Sequence, residues 1–81
     1  MDNVITLEKP IRFGSKELTE LTFNEPTGRE MSLIKDSMSF GDILKIASLL
    51  VGEPIRVLEK LGAKDCRKVV EHTSFLLSGG D

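Results

Sequence analysis

The chain has 81 residues, 40% of them hydrophobic and 30% charged, with a formal net charge of −2. That length suits one domain rather than two, and the composition is too apolar for intrinsic disorder. One cysteine, Cys66, excludes an intrachain disulfide and a cysteine-rich metal site, and the charge balance lacks the basic field on which phosphate-backbone binding rests.

Residues 1–25 read as a β-hairpin. Ile5, Leu7, Ile11 and Phe13 stand on odd positions, with Thr6, Glu8 and Arg12 between them, which is the two-residue period of a strand with one buried face. Pro10 has no N–H for a central ladder, so Lys9-Pro10 marks an edge or a bulge. A second run, Leu18 to Asn24, also sets Leu21 and Phe23 on odd positions, and Gly14-Ser15 supplies the turn. A strict two-residue loop would place Ile5 and Leu7 opposite Asn24 and Thr22. One shared apolar face therefore calls for an odd-length loop, three residues with a bulge at Gly14.

After Pro26 the period becomes helical. Thr27-Gly28-Arg29-Glu30 has the form of a capping box, and Met31, Ile34 and Met38 follow at helical spacing. Ser39-Phe40-Gly41-Asp42 is a second start signal. Beyond it Phe40, Ile43, Leu44, Ala47, Leu50 and Val51 form an amphipathic stripe that Ile46 and Leu49 widen. Gly52 closes that helix and Pro54 opens the next at its first position. Ile55, Leu58 and Leu61 predict about two turns, ended by Gly62 as a left-handed C-cap. A last helix over 64–77 carries Cys66, Val69, Val70, Thr73, Leu76 and Leu77 on one face. The fold class is α+β: an N-terminal β-hairpin followed by a small bundle of about four helices, with 1–25, 27–78 and a flexible 79–81 as parts of one domain over 1–81.

The chemistry available is sparse. Cys66 and the only histidine, His72, are six residues apart, which turns them about 120° from each other on a helix. They share no ligand face, and a thiol on an apolar stripe is usually inert. No serine stands in a glycine-flanked elbow, and no lysine follows a glycine-rich phosphate loop. Glu17, Glu20 and Glu25 could pair as acid and base only if one were buried, and their polar neighbours predict a solvated face instead. The expectation is no catalysis, no cofactor and no metal. Ala47 to Val51, broken by Ser48, falls far short of a membrane span, and no export signal precedes the hairpin. One thiol without bridges suits a reducing cytoplasm.

Two further patterns concern partners. Arg56, Lys60, Lys64, Arg67 and Lys68 form a basic edge diluted by Glu59, Asp65 and Glu71, open to an acidic protein or, through a helix-turn-helix likeness, to DNA. The apolar inventory of the helical half exceeds what the hairpin's one face can cover. Met31, Met38, Leu49, Val57 and Phe75 are the residues expected to meet another protein.

The segments Ile5-Thr6-Leu7-Glu8-Lys9-Pro10-Ile11, Leu18 to Thr27 with its Glu25-Pro26-Thr27 ending, Leu49-Leu50-Val51-Gly52-Glu53-Pro54 and Phe75-Leu76-Leu77 together resemble the small tail assembly chaperones of contractile-tailed, Mu-like phages. Val51 stands where threonine is commoner in that family. The resemblance implies a chaperone that binds the tape measure protein and keeps it soluble until tail tube subunits polymerise around it. It further implies a host-cytoplasmic location, absence from the finished virion, and a frameshifted longer form, for which Ser78-Gly79-Gly80 would suit the junction. The alternative is a small regulatory module that uses the basic edge.

Overall fold

The computed structural model describes residues 3–79 and begins with the expected hairpin. Strands β1 (Val4–Phe13) and β2 (Lys16–Thr22) pair antiparallel. Beside the turn, Phe13 pairs with Lys16, Arg12 with Glu17 and Ile11 with Leu18, so Gly14-Ser15 is a two-residue loop with Gly14 at φ +60°. Farther along, Thr6 pairs with Glu20, Ile5 with Leu21 and Val4 with Thr22. Leu7 to Pro10 therefore bulge out opposite Thr19 alone.

The odd offset between the strands thus lies inside β1 and not in the turn, where a three-residue loop was expected. Pro10 has no hydrogen to donate, and a bulge is where a strand tolerates that. The shift also achieves what the sequence demanded: Leu7, Ile11, Leu21 and Phe23 are all buried. Asn24 then ties the end of the hairpin to the helices, its backbone N–H and its side-chain Nδ2 both donating to the Leu50 carbonyl at 2.9 and 3.1 Å.

Four helices follow, α1 (Gly28–Met31), α2 (Phe40–Val51), α3 (Ile55–Leu58) and α4 (Ala63–Leu77). In α1 the Glu30 carboxylate accepts from the Thr27 N–H and hydroxyl, both at 2.9 Å, and the Thr27 N–H above all holds that carboxyl below its usual range. The helix stops after one turn, which corrects the expected Met31, Ile34 and Met38 stripe. Met31 and Ile34 are exposed and Met38 is half-buried in an irregular stretch over 32–39. A first helical turn fixes many dihedrals for few hydrogen bonds, and here no burial of Leu33 or Ile34 offsets that.

Helix α2 starts on reciprocal bonds of 3.1 Å, Asp42 N–H to Ser39 Oγ and Ser39 N–H to Asp42 Oδ2. The Ser39 N–H, and after it Lys35 and Lys45, keep the Asp42 carboxyl below its ordinary value against the opposing effect of burial. The helix ends at Gly52 in the left-handed region, φ +73°, with the N–H of Gly52 and of Glu53 on the Ser48 carbonyl. Leu44, Ile46, Ala47 and Leu50 are buried, whereas Phe40, expected within the stripe, opens the helix and is 52% exposed.

Two positions near α3 also differ from expectation. Pro54 is the N-cap, one residue earlier than the first helical position. Gly62 is not a left-handed C-cap: at φ −67° and ψ 163° it is extended and serves as the N-cap of α4. Tight turns, Lys60 N–H to Val57 and Leu61 N–H to Leu58, already occupy the last α3 carbonyls, so Gly62 is free to begin the next helix. The core joins the buried face of the hairpin to α2, α3 and α4, with Leu50, Leu58, Val69 and Thr73 fully buried. Of the flexible 79–81 segment expected from sequence, residues 80 and 81 lie outside the described residues.

Candidate functional site

The scaffold of the surface is a clasp between the two ends of the chain. Asp65, in the first turn of α4, is 1% exposed, and its two carboxylate oxygens accept the N–H groups of Glu8 and Lys9 at 2.9 and 3.0 Å. These are donors that the β1 bulge leaves without a cross-strand partner. Burial pushes the Asp65 carboxyl upward. The two N–H donors and the nearby Lys68 and Lys9 outweigh it and hold the group below its ordinary value. Lys68 closes the arrangement, with its Nζ 3.4 Å from Glu8 Oε2, 3.8 Å from Asp65 Oδ1 and 3.5 Å from the Thr6 carbonyl. Sequence reasoning read Lys9-Pro10 as an edge or a bulge but missed Asp65, because its partners lie 57 and 56 residues away.

The expected protein-binding residues separate into different environments. Met31 and Leu49 are exposed, Phe75 is 42% exposed, and Met38 is half-buried. Val57 is 5% exposed and belongs to the core, so its side chain is not on offer to a partner in the folded chain. Ile34 and Met38 meet Ser74, Leu77 and Ser78 around a shallow groove of about 300 Å³. On its other side Met38 shares a smaller hollow with Leu33, Lys35, Asp42, Lys45 and Ile46. An apolar band of Leu33, Ile34 and Met38 results, with the buried Leu77 beneath it. Leu33 and Ile34 were missed as surface residues, and the available signal was an apolar pair stranded beyond a one-turn helix.

Phe75 stands on α4 between the groove residues Ser74 and Ser78 in the chain, and its ring stacks on His72 with centroids 6.2 Å apart. His72 in turn meets the buried Phe23 edge-on at 4.9 Å. Its Nε2 is buried with no hydrogen-bond partner among the described residues. Cys66 is half-buried, and burial pushes its thiol up, away from the reactive thiolate. Glu17, Glu20 and Glu25 are exposed, Glu17 pairing with Arg12 at 3.4 Å. No group of three or more metal-ligating side chains occurs among the described residues. No helix there is long and apolar enough to cross a membrane.

The basic edge is divided between two hollows. Lys64, Arg67 and Lys68 border a hollow together with Glu8 and Glu71, and Lys68 is engaged by Glu8 and Asp65. Arg56 and Lys60 border a different hollow, beside Phe13, Pro54 and Val57.

The α+β scaffold thus leaves apolar side chains exposed beside its last helix, and contiguous exposed apolar surface of that kind marks candidate interaction sites. The chain belongs to the phage tail assembly chaperones. Residues 4–78 match the family described as phage tail assembly chaperone proteins, E, or 41 or 14, in agreement with the family resemblance of its strands and helices. No curated protein and no solved structure gives a significant match.

Proposed function

We propose that this chaperone holds the tape measure protein of a contractile, Mu-like phage tail and keeps it soluble until tube subunits polymerise around it. The observation that carries the reading is the apolar band of Leu33, Ile34 and Met38, over the buried Leu77 and beside the exposed Phe75. A long helical client exposes apolar seams before assembly, and such seams aggregate. A band of this kind takes the apolar face of an amphipathic helix by groove contact, and methionine adapts to successive seams of different shape. Release requires no nucleotide if tube subunits bind the client more tightly. The groove wall supplied by Met38, with Met31, Leu49 and Phe75 nearby on the surface, is the proposed contact. Val57, a core residue, is not among the proposed contacts with this client.

The test is co-expression with the tape measure protein of the same phage. The expected result is a rise in soluble client and co-purification of the two. Leu33→Glu combined with Ile34→Glu changes two exposed side chains, so the fold should survive while co-purification is lost. Unchanged solubility together with absent co-purification of the unaltered chain would overturn the reading.

A further inference from the structure

A second surface of different chemistry lies against the turn end of the hairpin. Phe13, Pro54, Arg56, Val57 and Lys60 enclose a hollow of about 350 Å³. Its floor is apolar: Val57 is buried, and Phe13 is half-buried against the core. Its charged walls are both cationic. Three other charged hollows each carry a carboxylate, Glu8 and Asp65 in one, Glu8 and Glu71 in the next and Asp42 in the third. Here none is present. Lys16 adds a third cation, with its Nζ 5.8 Å from the Phe13 ring centroid. Among the described residues Lys16, Arg56 and Lys60 form no ion pair, although the chain as a whole is slightly acidic.

An apolar floor between uncompensated cations is complementary to a segment that presents an apolar side chain between carboxylates. We infer that this hollow docks an acidic protein segment, with one apolar side chain seated on Phe13 and Pro54 and flanking carboxylates on Arg56 and Lys60. The guanidinium of Arg56 can take a carboxylate with two parallel N–H donors, and Lys60 supplies a second, point-like charge on the same hollow. Nucleic acid fits less well. Duplex binding neutralises a row of phosphates, and the cations here are confined to one small hollow in a chain of net charge −2. The site is independent of the apolar band proposed for the client, so either can fail without the other.

The test uses the whole chain, labelled for amide NMR, and a short capped peptide with a central phenylalanine flanked on both sides by glutamates. Saturable shifts are expected at Phe13, Arg56, Val57 and Lys60. Binding should weaken at least roughly tenfold when glutamines replace the glutamates, and likewise in the Arg56→Glu, Lys60→Glu double variant, since each exposed pair is lost and replaced by repulsion. Both side chains are exposed, and unchanged amide spectra away from the hollow will show that the variant is folded. The inference is overturned if the acidic peptide shifts none of these residues, if the glutamine peptide binds equally well, or if an oligothymidylate binds the hollow more tightly than the peptide.

Discussion

Replacing Asp65 tests the clasp directly. Asp65→Ala removes the carboxylate that accepts the Glu8 and Lys9 N–H groups, at 2.9 and 3.0 Å, from a position 1% exposed. Hydrogen bonds to an ionised group contribute about 1.5–3 kcal/mol each, and the bulge sits near enough to the surface for water to recover part of that. A loss of about 3 kcal/mol is expected, set against a total of roughly 4–12 kcal/mol for a chain of this size. Urea denaturation reads this as a midpoint lower by about 3 M, at a slope of about 1 kcal/mol per molar. Asp65→Asn retains a carbonyl oxygen but no charge, and should lose about half as much. The pH dependence gives a second reading. A carboxyl whose folded pKa is depressed stabilises fully above its unfolded value, about 3.9, and ceases to do so as pH falls through the lower folded value. The unaltered chain should therefore lose this contribution below about pH 4, and the gap to Asp65→Asn should narrow there. An Asp65→Ala midpoint within about 0.5 M of the parent at neutral pH would refute the reasoning, as would an acid profile of Asp65→Asn that runs parallel to it.

Gly52→Ala is expected to cost about 1 kcal/mol by thermal unfolding, because φ +73° strains any side chain, while no atom lies within 4 Å of the new Cβ to add a clash. A smaller loss than that of an ordinary surface substitution would contradict the left-handed cap. Val57→Ala should cost about 2 kcal/mol, with Met31→Ala within about 0.5 kcal/mol of the parent, as core and surface positions respectively. Equal effects in denaturant titrations would show that the two do not differ in burial.

What could be read from the sequence was whatever local chemistry decides. The alternation of Ile5, Leu7, Leu21 and Phe23, the Thr27–Glu30 and Ser39–Asp42 start signals, and the Gly52 stop all concern residues within a few positions of one another. Register was different. The parity conflict between the strands was visible, but both a longer turn and an internal bulge resolve it, and only the docking of Asp65 on the freed N–H groups favours the bulge. Met31, Ile34 and Met38 have helical spacing, yet spacing records only where a helix would bury them, and the fold gives Ile34 nothing to bury against. Gly62 stands between two helices and suits either end equally until the α3 carbonyls find other donors. For the candidate surface, sequence named Met31 and Phe75, which are exposed, and Met38, which is half-buried, and placed Val57 outside when the core holds it. A helix packed on two sides presents nearly any of its apolar positions inward.

The clasp also sets an order on synthesis. At roughly 5–20 residues per second, the N–H of Glu8 leaves the peptidyl centre about 3–11 s before the Asp65 carboxylate that will receive it. An isolated two-stranded hairpin is marginal in water, so through that interval Leu7, Ile11, Leu21 and Phe23 have no settled cover. The clasp can close only once the last helix has arrived, so the packing of the β1 bulge waits on the end of synthesis.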